Sequence, residues 1–251
     1  VIWSGLRKDC NHNENSTQPK YDYFCRDLIL LCICQTKRML NQPTQNSPGA
    51  EVADQVRSLI ADLNQRDSTD QALVEAAKFV AQARKVLDGP VRLRWYEVDV
   101  DADDETAAKL QKEYRQHSLF RGGHNPLAPP ITMSEESQAD GSKRIVGMLC
   151  LGSEREGPPR TVHGGMVAAV FDDVLSGVLA TAGASGSVTG KLTVRYRRPT
   201  PINTDLRFEA WVEHHQGSRL TARAQCVANG EVTAEAEALF ISLDMRSMGS
   251  A

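Results

Sequence analysis

Between Met166 and Ala182 the chain places apolar side chains at almost every helical angle: Val167, Val170, Phe171, Val174, Leu175, Val178 and Leu179. A helix apolar nearly all round cannot rest on a surface and must be buried on most sides. The sequence that follows can bury it. Strand-like runs fall at about 188–197, 205–215, 218–228 and 231–242, and another, Lys143 to Leu151, precedes the helix. Gln216-Gly217-Ser218 and Asn229-Gly230 supply the turns that join consecutive strands as hairpins. One buried helix, with an antiparallel sheet long enough to curl around it, is an α+β architecture.

The upstream half has a different texture. Residues 1–46 lack a sustained period, and residues 1–38 are expected to be an upstream extension without a role in chemistry. Residues 47–118 read as a helical accessory segment. Val52, Val56, Leu59, Ile60 and Leu63 share one helical face, and Leu73, Ala76, Val80, Ala83 and Leu87 share another. Ser68 and Gln71 have capping-box spacing before the second stripe, and Gly89-Pro90 ends it. After an extended piece, Val91 to Val100, Asp103 and Asp104 suit the start of a third helix running to about His117. The main domain is then 119–245, with 246–251 as a flexible tail.

With 29 Lys plus Arg against 32 Asp plus Glu, the chain has no basic footprint for nucleic acid. The apolar run Leu28 to Cys34 is far shorter than the roughly 20 residues of a membrane span, and no small-residue cleavage site follows it. Four of the six cysteines lie in the first 34 residues without a Cys-x2-Cys pair, so no metal site is expected. Cys150 and Cys226 sit in strand-like runs and read as small buried apolar residues. Reduced thiols fit a cytoplasmic protein.

Chemistry concentrates where the apolar helix begins, at Thr161-Val162-His163-Gly164-Gly165-Met166. Two glycines there would let a ligand oxygen reach backbone N–H groups that have no partner inside the helix and carry the positive end of its dipole. A developing oxyanion needs such donors, although the same glycines also suit a tight strand-to-helix turn. Asp172 lies seven residues beyond Gly165, on the same face and about 10 Å along the axis. A carboxylate within an apolar helix is costly unless it is paired or used. Asp173 points about 100° away and is expected to reach solvent or a cap. One helix cannot present an oxyanion donor and a carboxylate 10 Å apart to one carbonyl. Two helices meeting antiparallel across a dimer could, each Gly165 facing the partner's acid.

These residues carry a resemblance. HGGMVAAVFDDVLSG, VTGKLTVRYRRPTP and EVTAEAEALFISL, with GGHNPLAPP and EGPPRTVHGG upstream, resemble the PaaI-type hotdog-fold acyl-CoA thioesterase family. The similarity is greatest to the subgroup of thioesterase superfamily members 4 and 5 and their actinobacterial relatives, over roughly residues 119–243. HGG, an Asp nine residues after the His, and a following LTVxYxRPxP strand form a specific combination. The resemblance implies a curved antiparallel sheet wrapped around a central helix, and hydrolysis of acyl-coenzyme A to free acid and thiol. It assigns the carboxylate that is nucleophile or general base to Asp172, the carbonyl-polarising amide to Gly165, the motif histidine to His163 and the water-orienting hydroxyl to Thr189. Gly164 and the strand basics Arg195, Arg197 and Arg198 are candidates for substrate binding, since arginine grips phosphate readily. Val167, Val170 and Phe171 would line an acyl slot. Some relatives place an Asn six residues before the motif His; this chain has Gly157. No cofactor is implied beyond the coenzyme A of the substrate, and the expected assembly is a homodimer or a dimer of dimers. A hydratase or dehydratase on acyl-CoA, or a non-catalytic acyl-CoA binding module, are the rival readings.

Overall fold

The computed structural model describes residues 38–41, 47–92, 104–129, 131–184 and 186–242. The expectations for residues 1–37 and 42–46, for the extended piece from 93 to 100 and for the tail lie outside these.

The strands are β1 (Arg38–Asn41), β2 (Thr132–Ser137), β3 (Lys143–Cys150), β4 (Ser187–Tyr196), β5 (Asp205–Gln216), β6 (Arg219–Ala228) and β7 (Glu231–Ser242). They form one antiparallel sheet in the order β1-β2-β3-β5-β6-β7-β4. The helices are α1 (Pro48–Gln65), α2 (Asp70–Val86), α3 (Asp104–Gln116), α4 (Gly164–Ser176) and α5 (Val178–Thr181). The sheet wraps α4, which is the hotdog arrangement. Both hairpin turns form where the sequence places them. Asn229 and Gly230 adopt φ of 51° and 79°, so both central residues of that two-residue turn are left-handed, and Gly217 has φ of 58°.

Small residues let α4 settle on the sheet. Ala222, Ala224, Ala234, Ala236 and Ala238 point inward from β6 and β7 and are buried. A Cβ on Gly147 of β3 would come within 2.9 Å of Val174 Cγ2. Larger side chains fill the remaining space: Phe171 meets Phe208 edge-on with ring centroids 4.9 Å apart. The stretch Gly164–Thr181 has the length and apolarity of a membrane-crossing helix, yet it is the core helix of this sheet. It is also not continuous. Gly177 separates α4 from α5, and a Cβ there would lie 2.8 Å from Ile145 Cγ2.

Several expectations need correction. Residues 38–41 form edge strand β1 on β2, although the sequence places them in a stretch without regular structure. Four residues are too few to show a period, and the pairing partner lies nearly a hundred residues away. Strand β2 (TMSEES) was not legible either, because its outward face is polar and only Met133 and Ser134 are buried. Cys150 is exposed, since it ends β3 on the outward side of the pleat. Cys226 is buried, and burial pushes its thiol up to about 11. On α1 the buried residues are Ala50 and Ala53, while Val52 and Leu63 of the expected stripe are exposed. Helix α2 buries no residue within the chain. Helix α4 is less enclosed than its composition suggests: Gly165 and Asp172 are exposed along one side.

Candidate active site

The open side of α4 gathers the residues of interest. His163 is the helix N-cap, and its Nδ1 accepts a hydrogen bond from the Gly165 N–H at 3.0 Å. The amide read from the sequence as bare is therefore occupied by its own neighbour. A neutral imidazole accepting at Nδ1 carries its hydrogen on Nε2. Because His163 is exposed, its ring can turn away and release the amide without repacking a core. Gly157 lies directly behind it: a Cβ there would sit 2.9 Å from His163 Cα. Close approach of two backbones thus fills the position where some relatives carry Asn.

Two turns along the helix, Asp172 Oδ1 accepts a hydrogen bond from Thr189 Oγ1 at 2.8 Å. The pairing depends on an irregularity in β4. Thr189 pairs with Phe240 and Lys191 with Leu239, so Gly190 is an extra residue, a β-bulge. Beyond the bulge the partly buried residues are Leu192 and Val194, with even numbers; before it, the inward residue is the odd-numbered Thr189. The bulge turns Thr189 toward α4.

Asp173 has the environment expected of Asp172. It is the more buried acid, with its side chain 15% exposed, and Arg121 Nε donates to its Oδ2 at 2.7 Å. Arg121 Nη2 also donates to the Asp173 carbonyl and, at 3.0 Å, to Ser176 Oγ. Burial pushes the Asp173 carboxyl above its ordinary range, Arg121 opposes the shift, and the neighbouring charge of Asp172 adds to it. The expectation that Asp173 reaches solvent or a cap fails because its counter-charge comes from a loop 52 residues upstream. That loop is tied to α1 in turn: Ser47 Oγ and His124 Nε2 are 2.7 Å apart, and Arg57 donates to the Asn125 carbonyl at 2.8 Å.

The candidate phosphate-binding arginines diverge. Arg195 points to the outer face of the sheet, away from α4, among Trp211, Gln225 and Glu237. Alternation along β4 puts it there, and it does not join the site. Arg197 is bonded to Glu235 at 2.8 Å and Arg198 to Glu231 at 2.9 Å, but both also border a cleft of about 410 Å³ beside Gly164. Val167 lines that cleft, together with Pro158, Thr161 and Tyr196. Val170 and Phe171, expected to line the same slot, are instead fully buried in the core. Tyr196, not among the sequence candidates, donates from its hydroxyl to the Gly164 carbonyl at 2.7 Å. Its place as the next inward residue after Leu192 and Val194 was the available signal.

Residues 160–235 match the family model described as thioesterase superfamily. Acyl-coenzyme A thioesterase THEM4 of Xenopus laevis is 34% identical over 103 residues, covering 40% of this chain and 46% of that protein. The mouse protein of the same name is 30% identical over 104 residues, covering 41% of this chain and 44% of that protein. The chain thus spans less than half the length of these curated relatives. A crystal structure of a thioesterase superfamily protein superposes with a TM-score of 0.62 at 25% identity, covering 81% of this chain and 99% of that one. The segment that carries Gly165 and Asp172, residues 160–235, is thus similar to the thioesterase superfamily, and the sheet wrapped around α4 is a hotdog fold.

Proposed function

We propose that the chain hydrolyses the thioester of acyl-coenzyme A to a free acid and coenzyme A, at a site completed by a second copy. The observation that carries this reading is the exposed Asp172 carboxylate, bonded to Thr189 on the same open face of α4 as the Gly165 amide. Thr189 donates to Oδ1, and Oδ2, without a partner among the described residues, can accept a proton from water. A water held there attacks the thioester carbon as Asp172 takes its proton. Asp172 could equally act as the nucleophile itself, forming an anhydride that water opens. In either case the carbonyl oxygen gains charge at the helix N-terminus, where the Gly165 N–H receives it once His163 turns aside. The C–S bond then breaks, and the departing thiolate is protonated.

Geometry within one chain argues for the second copy. Gly165 and Asp172 are about 10 Å apart along α4, too far to serve one carbonyl. An antiparallel partner helix brings each amide to the other's acid. Strand β4 ends the sheet and has one edge unpaired among the described residues, which suits the same association. The pantetheine arm would lie in the cleft bordered by Arg197 and Arg198, with these arginines near its phosphates. Coenzyme A enters as part of the substrate, no other cofactor takes part, and a cytoplasmic setting goes with this chemistry.

The deciding experiment is thiol release from acetyl-, octanoyl-, palmitoyl- and benzoyl-CoA, with wild type compared against Asp172→Asn. The variant should still bind acyl-CoA yet lose turnover by on the order of 100-fold or more. Equal rates would remove Asp172 from the mechanism. An enoyl-CoA run alongside, monitored for hydration, separates hydrolysis from chemistry at the β-carbon.

A further inference from the structure

The Gly164 carbonyl and the Gly165 N–H belong to one peptide group, and the structure engages both ends of it. The hydroxyl of Tyr196 donates to the Gly164 oxygen at 2.7 Å, and the Gly165 N–H donates to His163 Nδ1 at 3.0 Å. We propose that Tyr196 is a positioning residue for hydrolysis: its hydroxyl holds and polarises the 164–165 peptide so that the Gly165 N–H becomes a stronger, fixed donor to the thioester oxygen. This rests on the reading of Gly165 as the oxyanion donor.

Three features support it. A carbonyl oxygen has two lone pairs, and the helix uses only the one directed along its axis, so a side donor can add a second bond. The peptide unit is planar and conjugated, so a proton donor on its oxygen withdraws density from its nitrogen and sharpens the N–H dipole. The two glycines of the motif then acquire separate roles. A Cβ on Gly164 would press on the Tyr196 ring, 3.3 Å from both Cζ and the hydroxyl oxygen, so glycine at 164 is what lets the phenol reach the carbonyl. Glycine at 165 keeps the other side of the same peptide open to substrate: it is exposed, with only the His163 ring near a hypothetical Cβ. Tyr196 is itself suited to the task. It is the last residue of β4, next to the cleft rather than in the core, and its hydroxyl has one partner among the described residues.

The test is Tyr196→Phe in the full chain, which keeps the ring and removes only the donor. One readout needs no turnover. Glycine labelled with 13C at the carbonyl and 15N at the amide gives a correlated signal only from Gly-Gly peptides, and this sequence has two, Gly122-Gly123 and Gly164-Gly165. Loss of the hydroxyl should shift the Gly164 carbonyl and Gly165 nitrogen upfield and leave the Gly122-Gly123 signal in place, which also reports that the fold is intact. The other readout is kinetic, on whichever of the four acyl-CoAs is cleaved fastest: kcat should fall about tenfold with KM nearly unchanged, the size expected for one lost hydrogen bond. An unshifted 164–165 signal overturns the proposal whatever the rates do. So does a shifted signal with unchanged kcat. A wild-type chain that releases thiol from none of the substrates defeats the hydrolase reading instead, and the spectrum still shows whether the phenol polarises the peptide.

Discussion

Asp172 and Asp173 are adjacent in sequence but about 100° apart around α4, and that rotation gives them different surroundings. Asp172 faces the open side and is bonded to the Thr189 hydroxyl, while Asp173 turns toward the loop that holds Arg121. Removing Arg121 strands a mostly buried carboxylate. Arg121→Ala should therefore lower unfolding free energy by about 3 kcal/mol, the usual size for breaking one side of a buried pair. The pH dependence has a definite sign. Because burial raises the Asp173 pKa in the folded chain, the stability its protonation contributes is complete below the ordinary carboxylate range and is lost as pH rises through the raised value. Asp173→Asn stays neutral throughout, so its stability relative to wild type should improve between about pH 4 and pH 7 in urea titrations. A relative stability that declines over that range would contradict the assignment. The sequence does reveal that a carboxylate in an apolar helix needs a reason. It does not reveal which of two neighbours has the counter-charge, because Arg121 reaches the helix from a distant loop.

Element boundaries carry as much of the site as the side chains do. The last four strands were legible because hydrophobic alternation and left-handed turn residues agree there, as at Asn229-Gly230. The bulge in β4 was not, since Gly190 in the run Val188-Thr189-Gly190-Lys191-Leu192 looks like any glycine in a strand. Yet the bulge is what brings Thr189 onto the side of Asp172. A Cβ at 190 would lie 2.8 Å from Ile241 Cδ1 on the neighbouring strand. Gly190→Ala should therefore destabilise by about 1–3 kcal/mol, as overpacking does, and reduce thiol release by shifting Thr189. Adding Ile241→Val removes the Cδ1 atom and should restore most of both. A double variant as slow as the single one would mean that the glycine serves something other than this contact. Strands β1 and β2 show the other limit of sequence reading, because a four-residue strand and a strand with only two buried residues have too few inward positions to establish a period.

At the scale of the whole molecule, the described residues leave three surfaces that a lone protein would be expected to cover. These are the open side of α4, the free edge of β4 and the apolar residues of α2, where Phe79 and Val86 are 62% and 82% exposed. If two copies meet across α4 with two-fold symmetry, each site takes its acid from one copy and its amide from the other. That geometry makes a prediction that a self-contained site cannot match. Asp172→Asn removes the acid, and Gly165→Pro removes the amide hydrogen at a first-turn position where proline is tolerated. Each variant alone should be nearly inactive. Unfolded together and refolded in equal amounts, half of the dimers would be mixed. In a mixed dimer one site loses both groups and the other keeps both. Thiol release should then recover to roughly a quarter of the wild-type rate. A site contained within one chain gives no recovery at any mixing ratio, because every copy still lacks one of the two groups.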